Sequence, residues 1–166
     1  MMATIETPLD TYRDSVRAEW IDHNGHMNMG YYMVVFDYAT DDFFDHCHLT
    51  REHRETTQIT TFSLEAHINY LAEVKEGDPL RFRTWLIDFD EKRIHYIHEM
   101  FHAIEGYRAA TNELMSLHVS RATRRAAPMH ETILARLSAI SAAQKESSLE
   151  LPPEVGRSLG LGKRRK

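Results

Sequence analysis

The sequence predicts an α+β fold in which one antiparallel sheet packs on a long helix. From Met29 to Cys47, the residues Tyr32, Phe36, Ala39, Phe43 and Cys47 recur at three- and four-residue steps, which gathers them on one helical face. From Thr60, the residues Phe62, Leu64, Ala66, Ile68 and Tyr70 alternate with Ser63, Glu65, His67 and Asn69, the period of a strand with two unlike faces. Three more strand-like runs follow, separated by turn formers. Strands joined by short turns pair antiparallel, and a helix with a broad apolar face must bury it on such a sheet.

In chain order, a short strand is expected from about Tyr12 to Trp20, leading into a polar loop and then the helix. Asp37, Asp41, Asp42 and Asp45 fall largely off the apolar stripe and are expected to face solvent. Thr50 to Gln58 is rich in charge and reads as a connector. After the strand from Thr60, Glu76-Gly77-Asp78-Pro79 is a turn, and Leu80 to Phe89 a second strand. Asp88-Phe89-Asp90-Glu91-Lys92 reverses the chain into a strand over Arg93–Ile104, and Glu105-Gly106 turns it into Ala109–Val119. Pro128 precedes a helix from about His130 to Gln144, with Ile133, Leu134, Leu137 and Ile140 on one side. Residues 1–145 are read as one domain and 146–166, with Pro152-Pro153 and late glycines, as a poorly ordered tail.

The chain of 166 residues, 42% hydrophobic and 10% aromatic, has the material for a single core. Its formal charge of −5 argues against a nucleic-acid-binding role, and Lys163-Arg164-Arg165-Lys166 reads as a solvated tail. Cys47 stands alone, so no intrachain disulfide can form and a reducing cytoplasm is expected. No run has the length of a signal peptide or a membrane span.

The most informative segment is Asp22-His23-Asn24-Gly25-His26-Met27-Asn28, where Asp22, Asn24, His26 and Asn28 alternate directly ahead of the long helix. Asp, Asn and Gly are also the usual turn formers, so an ordinary turn is the competing reading. The helix start behind the series adds unpaired N–H groups and a positive dipole end, able to hold an oxygen that gains charge.

His98-Glu99-Met100-Phe101-His102 spells H-E-x-x-H, a zinc motif when it lies on a helix. Here it sits in a strand-like alternation. Four residues then span about 13 Å, too far for two imidazoles to share one ion readily. Neither a metal nor another cofactor is expected.

A strand, an Asp-containing loop entering a long helix, and a later His67-Ile68-Asn69-Tyr70-Leu71 with Glu76-Gly77-Asp78 resemble the hotdog fold of acyl-CoA thioesterases of the 4-hydroxybenzoyl-CoA thioesterase type, over roughly residues 12–128. Asp22-x-Asn24-x-His26 is similar to the Asp-x-Asn-x-His motif of plant acyl-carrier-protein thioesterases. Residues 19–28 together with His98–His102 and Leu117-His118-Val119 resemble the betainyl-CoA thioesterases of carnitine degradation, some of which are fused to a carnitine dehydrogenase.

The resemblance implies cleavage of an acyl-CoA to free acid and CoA. Asp22 would act as nucleophile or general base, His26 would assist proton transfer and Asn24 would hold water or substrate. Amides at Met29 and Gly30 would polarise the thioester carbonyl. Arg121, Arg124 and Arg125 are candidates for the CoA phosphates, or an ordinary solvated cluster. A cationic acyl group would favour aromatic neighbours, for which Tyr31, Tyr32 and Trp85 are candidates with Asn28 beside them; such residues are equally core formers. The resemblance also implies a homodimer or homotetramer joined through sheet edges, with sites between subunits. A non-catalytic module that binds an acyl thioester, and a metal-dependent hydrolase built on His98 and His102, are the rival readings.

Overall fold

The computed structural model describes residues 5–161. Strand β1 (Arg13–Ser15) is followed by a single 3-10 turn, Ala18–Trp20, and then by helix α1 (Met29–His46). Helix α2 (Arg51–Thr56), strands β2 (Ile59–Tyr70), β3 (Pro79–Phe89), β4 (Arg93–His102) and β5 (Arg108–Ser120), and helix α3 (Glu131–Glu146) complete the order. The five strands form one antiparallel sheet in the order β1-β3-β4-β5-β2.

The helix expected from the apolar spacing is present, with Tyr32, Phe36, Ala39, Phe43 and Cys47 all buried. Phe36 meets Phe82 edge-on at 5.8 Å between ring centres, and Phe43 lies 5.0 Å from Tyr96. These contacts seat α1 across one face of the sheet. Each fully buried aromatic contributes about 1.5–3 kcal/mol, and Phe36→Ala, which would also leave a cavity, would cost about 3–5 kcal/mol. Helix α3 adds Ile133, Leu137 and Ile140 to the same core. Its Gln144 amide accepts from Leu86 N–H at 2.9 Å and donates to Leu86 C=O at 2.7 Å, which satisfies the open edge of β3 beyond the reach of β1.

Four expectations need correction. The first strand spans only three residues, because the chain winds into the 3-10 turn that buries Trp20. The charged connector contains α2, capped by the Thr50 hydroxyl accepting from His53 N–H at 3.1 Å. Only β3, β4 and β5 form a meander: β2 pairs with β5 at the far edge rather than with β3, since the eight-residue connection 71–78 carries the chain across. Its alternating faces are mostly exposed, with Phe62 and Leu64 37% and 51% exposed.

The fourth concerns the C-terminal segment, which has specific contacts over 152–157. Glu154 is buried and accepts from Arg108 Nη2 at 2.7 Å, Gly156 N–H donates to Glu113 at 2.8 Å, and Arg157 reaches Asn69. This strap crosses the face of the sheet opposite α1. The basic run 163–166 lies outside the described residues. Among the described residues no helix is long and apolar enough to cross a membrane.

Candidate active site

The polar series folds as a tight loop. Ile21 bridges Met27, Asp22 N–H donates to His26 C=O at 3.1 Å, and Gly25 N–H donates to Asp22 C=O at 3.0 Å. Gly25 occupies φ +80°, which an L side chain would strain. Asp22 Oδ1 accepts from Asn24 N–H at 2.8 Å, an Asx turn, so the turn-forming reading of this aspartate is correct for one of its oxygens. Asn28 N–H donates to Trp20 C=O and Met27 N–H to Val74 C=O, both at 2.9 Å. The loop is thereby clamped between the 3-10 turn and the segment that leaves β2.

Asp22, His26, Met27, Asn28 and Met29 line a cleft of about 440 Å³ together with Tyr32, Tyr70, Leu71, Ala72 and Glu73. A larger groove of about 650 Å³ borders the C-terminal strap but includes no residue of the loop, whereas the smaller cleft gathers Asp22, His26, Asn28 and Met29. The segment 71–74 is fixed by its backbone: Leu71 and Ala72 N–H donate to Ala109 C=O, Tyr107 Oη donates to Glu73 C=O, and Val74 is fully buried.

At the helix start the structure separates the two amides expected to act together. Asn28 is the N-cap of α1, and its Oδ1 accepts from Gly30 N–H at 2.9 Å. Gly30 is therefore not free to meet a substrate, and the Asn28 oxygen is occupied. Met29 N–H has no partner among the described residues and borders the cleft.

Sequence reasoning missed Glu73. His26 Nε2 stands 3.5 Å from Glu73 Oε2, and Lys75 Nζ is 4.0 Å from Oε1. The two sit 47 positions apart, and no local pattern links them. The only hint is a carboxylate directly after the strand of His67–Tyr70.

Other candidates lie elsewhere. Asn24 is exposed and does not line the cleft. Tyr31 stacks on Trp20 at 6.0 Å, away from the cleft, while Tyr32 is in it and meets Tyr70 edge-on at 5.1 Å. Trp85 points from the opposite face of the sheet. It is buried there and its Nε1 donates to Glu99 Oε2 at 2.8 Å. Arg121, Arg124 and Arg125 follow β5, where Arg124 lies over the Phe62 ring. Tyr70 pairs with Ala110 and Ile59 with Ser120, so the arginines are about 33 Å along the sheet from the cleft of their own protomer.

The H-E-x-x-H residues lie on β4, as their alternation predicts. Thr40 Oγ1 donates to Phe36 C=O at 3.0 Å and so accepts from His98 Nε2 at 2.9 Å, which leaves His98 Nδ1 to accept from Thr84 Oγ1 at 2.7 Å. Both ring nitrogens are occupied, and burial pushes the imidazole pKa down to about 3. Glu99 points to the other face and binds Trp85, Arg83 and Arg108. The motif is structural, with its glutamate and histidines on opposite sides of a sheet.

A family model described as thioesterase-like superfamily matches residues 16–137. A Pseudomonas aeruginosa protein named betainyl-CoA thioesterase is 40% identical over 92% of this chain and 95% of its own length. The Agrobacterium fabrum L-carnitine dehydrogenase/betainyl-CoA thioesterase is 34% identical over 86% of this chain, which corresponds to 29% of that longer protein. Among solved structures, a Staphylococcus aureus protein in complex with CoA superposes with a TM-score of 0.82 at 28% identity, over 91% of this chain and 94% of the other.

Proposed function

We propose, from the premise that this chain belongs to the thioesterase-like superfamily and is an acyl-CoA thioester hydrolase of hotdog fold, that its substrate is betainyl-CoA and that Asp22 is its catalyst. The observation that carries the reading is that one cleft holds the Asp22 carboxylate, the unpartnered Met29 N–H and the edge-on pair Tyr32 and Tyr70. A carboxylate supplies the nucleophile or the base that takes a proton from water. The helix-start amide stabilises the carbonyl oxygen as it gains charge. The carbonyl then re-forms, the carbon–sulfur bond breaks, and the CoA thiolate takes a proton, for which His26 is the neighbouring donor; on the nucleophilic route water then cleaves the acyl–Asp22 anhydride to the free acid and restores the carboxylate. Tyrosine faces suit a quaternary ammonium, which has no N–H to donate and is held by ring quadrupoles.

The acting unit is proposed to be a homodimer, alone or paired into a homotetramer, joined through β2. That edge strand is twelve residues long and pairs with no further strand among the described residues, and Leu64, Tyr70 and Leu71 beside it are 51%, 48% and 43% exposed. Antiparallel β2–β2 pairing brings the partner's residue-59 end toward this protomer's residue-70 end. Arg121, Arg124 and Arg125, remote in one protomer, then approach the other's cleft as partners for CoA phosphates. A cytoplasmic setting fits the single buried thiol of Cys47, whose pKa burial pushes up.

The test compares betainyl-CoA with 3,3-dimethylbutyryl-CoA, a neutral analogue of matched shape. A cation over ring faces is worth about 0.5–2 kcal/mol, so betainyl-CoA is expected to have the higher kcat/KM by roughly twofold to thirtyfold. Equal values, or preference for the neutral ester, would remove the betainyl assignment and leave the general thioesterase standing.

A further inference from the structure

The cleft contains one more carboxylate than hydrolysis needs. Asp22 accounts for the nucleophile or base; Glu73, also lining the cleft, has no part in the steps above. Its contacts are weak. His26 Nε2 at 3.5 Å and Lys75 Nζ at 4.0 Å are both beyond ordinary hydrogen-bond length, and Lys75 is 67% exposed. The backbone under Glu73 is firm, because Tyr107 holds its carbonyl and the neighbouring Val74 is buried against the loop that carries Asp22. A fixed main chain with a loosely held anionic tip can accept a positive group without rearranging the site.

We infer that Glu73 is the counter-ion of the acyl group's quaternary ammonium and sets the preference for a cationic over a neutral acyl chain. The inference rests on the betainyl reading. In that substrate one methylene separates the ammonium nitrogen from the thioester carbon, so the two atoms are about 2.5 Å apart, the N-to-C distance across any tetrahedral carbon. Wherever the carbonyl sits close enough to Asp22 to react, the cation sits in the same small cleft.

If Asp22 alone paired with that cation, the pairing would stabilise bound substrate and hold the reactive oxygen away from the carbon, which raises no rate. A second carboxylate in the same cleft, carried by a separate segment, removes the conflict. It takes the ammonium and leaves Asp22 for the carbonyl. Trimethylammonium offers no hydrogen to donate, so a partner needs charge and proximity and no fixed direction. A half-exposed glutamate beside the Tyr32 and Tyr70 rings meets that requirement.

The experiment measures kcat/KM of wild-type enzyme and Glu73→Gln with betainyl-CoA and 3,3-dimethylbutyryl-CoA, at low and at raised salt. Glu73 is more than half exposed, and the substitution keeps its length, so folding is not at stake. The betainyl-to-neutral ratio is expected to fall roughly five- to twentyfold, the lower part of the range for unit charges about 4 Å apart between bulk-water and surface-like screening. The wild-type ratio is also expected to shrink with salt, more steeply than the variant's. A ratio unchanged by the substitution, or an equal loss with both substrates as for a residue that merely orients His26, would overturn the inference while the betainyl reading survived. A wild-type enzyme with no preference for betainyl-CoA would instead remove that reading and the inference with it.

Discussion

Asn28 Oδ1 accepts the Gly30 amide at 2.9 Å, and this contact decides which N–H of α1 is left to meet a substrate. Tyr31 N–H is already given to Asn28 C=O, so Met29 N–H remains. The cap also explains the glycine at position 30. A Cβ there would stand 3.3 Å from Asn28 Oδ1 and press the capping side chain out of place. Asn28→Ala is expected to cost about 1 kcal/mol and lower Tm by roughly 2–4 °C, while Asn28→Asp, which keeps the acceptor, holds the wild-type Tm in a thermal melt followed by circular dichroism.

The turn-forming role of Asp22 and its proposed catalytic role can be separated by substitution. Asn at this position still accepts from Asn24 N–H but cannot act as an anionic nucleophile or base. Asp22→Asn is expected to lower kcat by roughly 10²-fold or more with an unchanged melt, whereas Asp22→Ala loses the Asx turn as well and melts lower. Near wild-type turnover by the Asn variant in a free-thiol assay would reject Asp22 as the catalyst.

Tyr70, in the cleft, and the sequence candidate Trp85 predict opposite phenotypes. Tyr70→Leu removes one ring from the cleft and is expected to lower the betainyl preference in part, by roughly twofold to fivefold, with the Glu73 share retained. Trp85→Leu removes the donor to buried Glu99 on the far face and is expected to destabilise by about 2–4 kcal/mol with the preference intact. Selectivity measured beside urea midpoints separates them, and a selectivity loss in the Trp85 variant would contradict its placement.

The strap over the sheet predicts that its C-terminal residues contribute stability. Glu154→Ala leaves Arg108 with Glu99 alone, at an expected cost of about 1–3 kcal/mol, and deletion of residues 148–166 is expected to cost more. Equal urea midpoints for full-length and shortened chains would show the contacts to be without consequence.

His98 predicts an acid limb. Its imidazole stays neutral in the fold until about pH 3, against 6.5 for a free histidine, so between those values the unfolded chain binds a proton that the folded chain does not. Stability therefore falls as pH drops from about 6.5 toward 3, by at most about 1.4 kcal/mol per pH unit for this group, and is independent of it above 6.5. His118, shifted the same way by burial, adds to the slope. His98→Gln is expected to be less stable at neutral pH yet to show a shallower loss between pH 6.5 and 5 in urea titrations.

The sequence by itself determined what depends on neighbours along the chain. The apolar stripe from Tyr32 to Cys47, the alternation through β4 that marked H-E-x-x-H as a strand, and the loop poised before a helix are all written at spacings of two to four residues, and each is present in the fold. The tertiary structure decided what depends on contact between distant segments. Pairing of β2 with β5, Glu73 facing His26, Trp85 turned away from the cleft, and the strap that ties Glu154 to Arg108 are separated by 14 to about 60 positions in sequence. A period of two says that a strand has two faces, but which face meets the helix is fixed only when the whole sheet packs and its side chains compete for one core. For the same reason the loop's polar series could be recognised in sequence, while the division of labour between Asn28, Gly30 and Met29 required the cap geometry that folding sets.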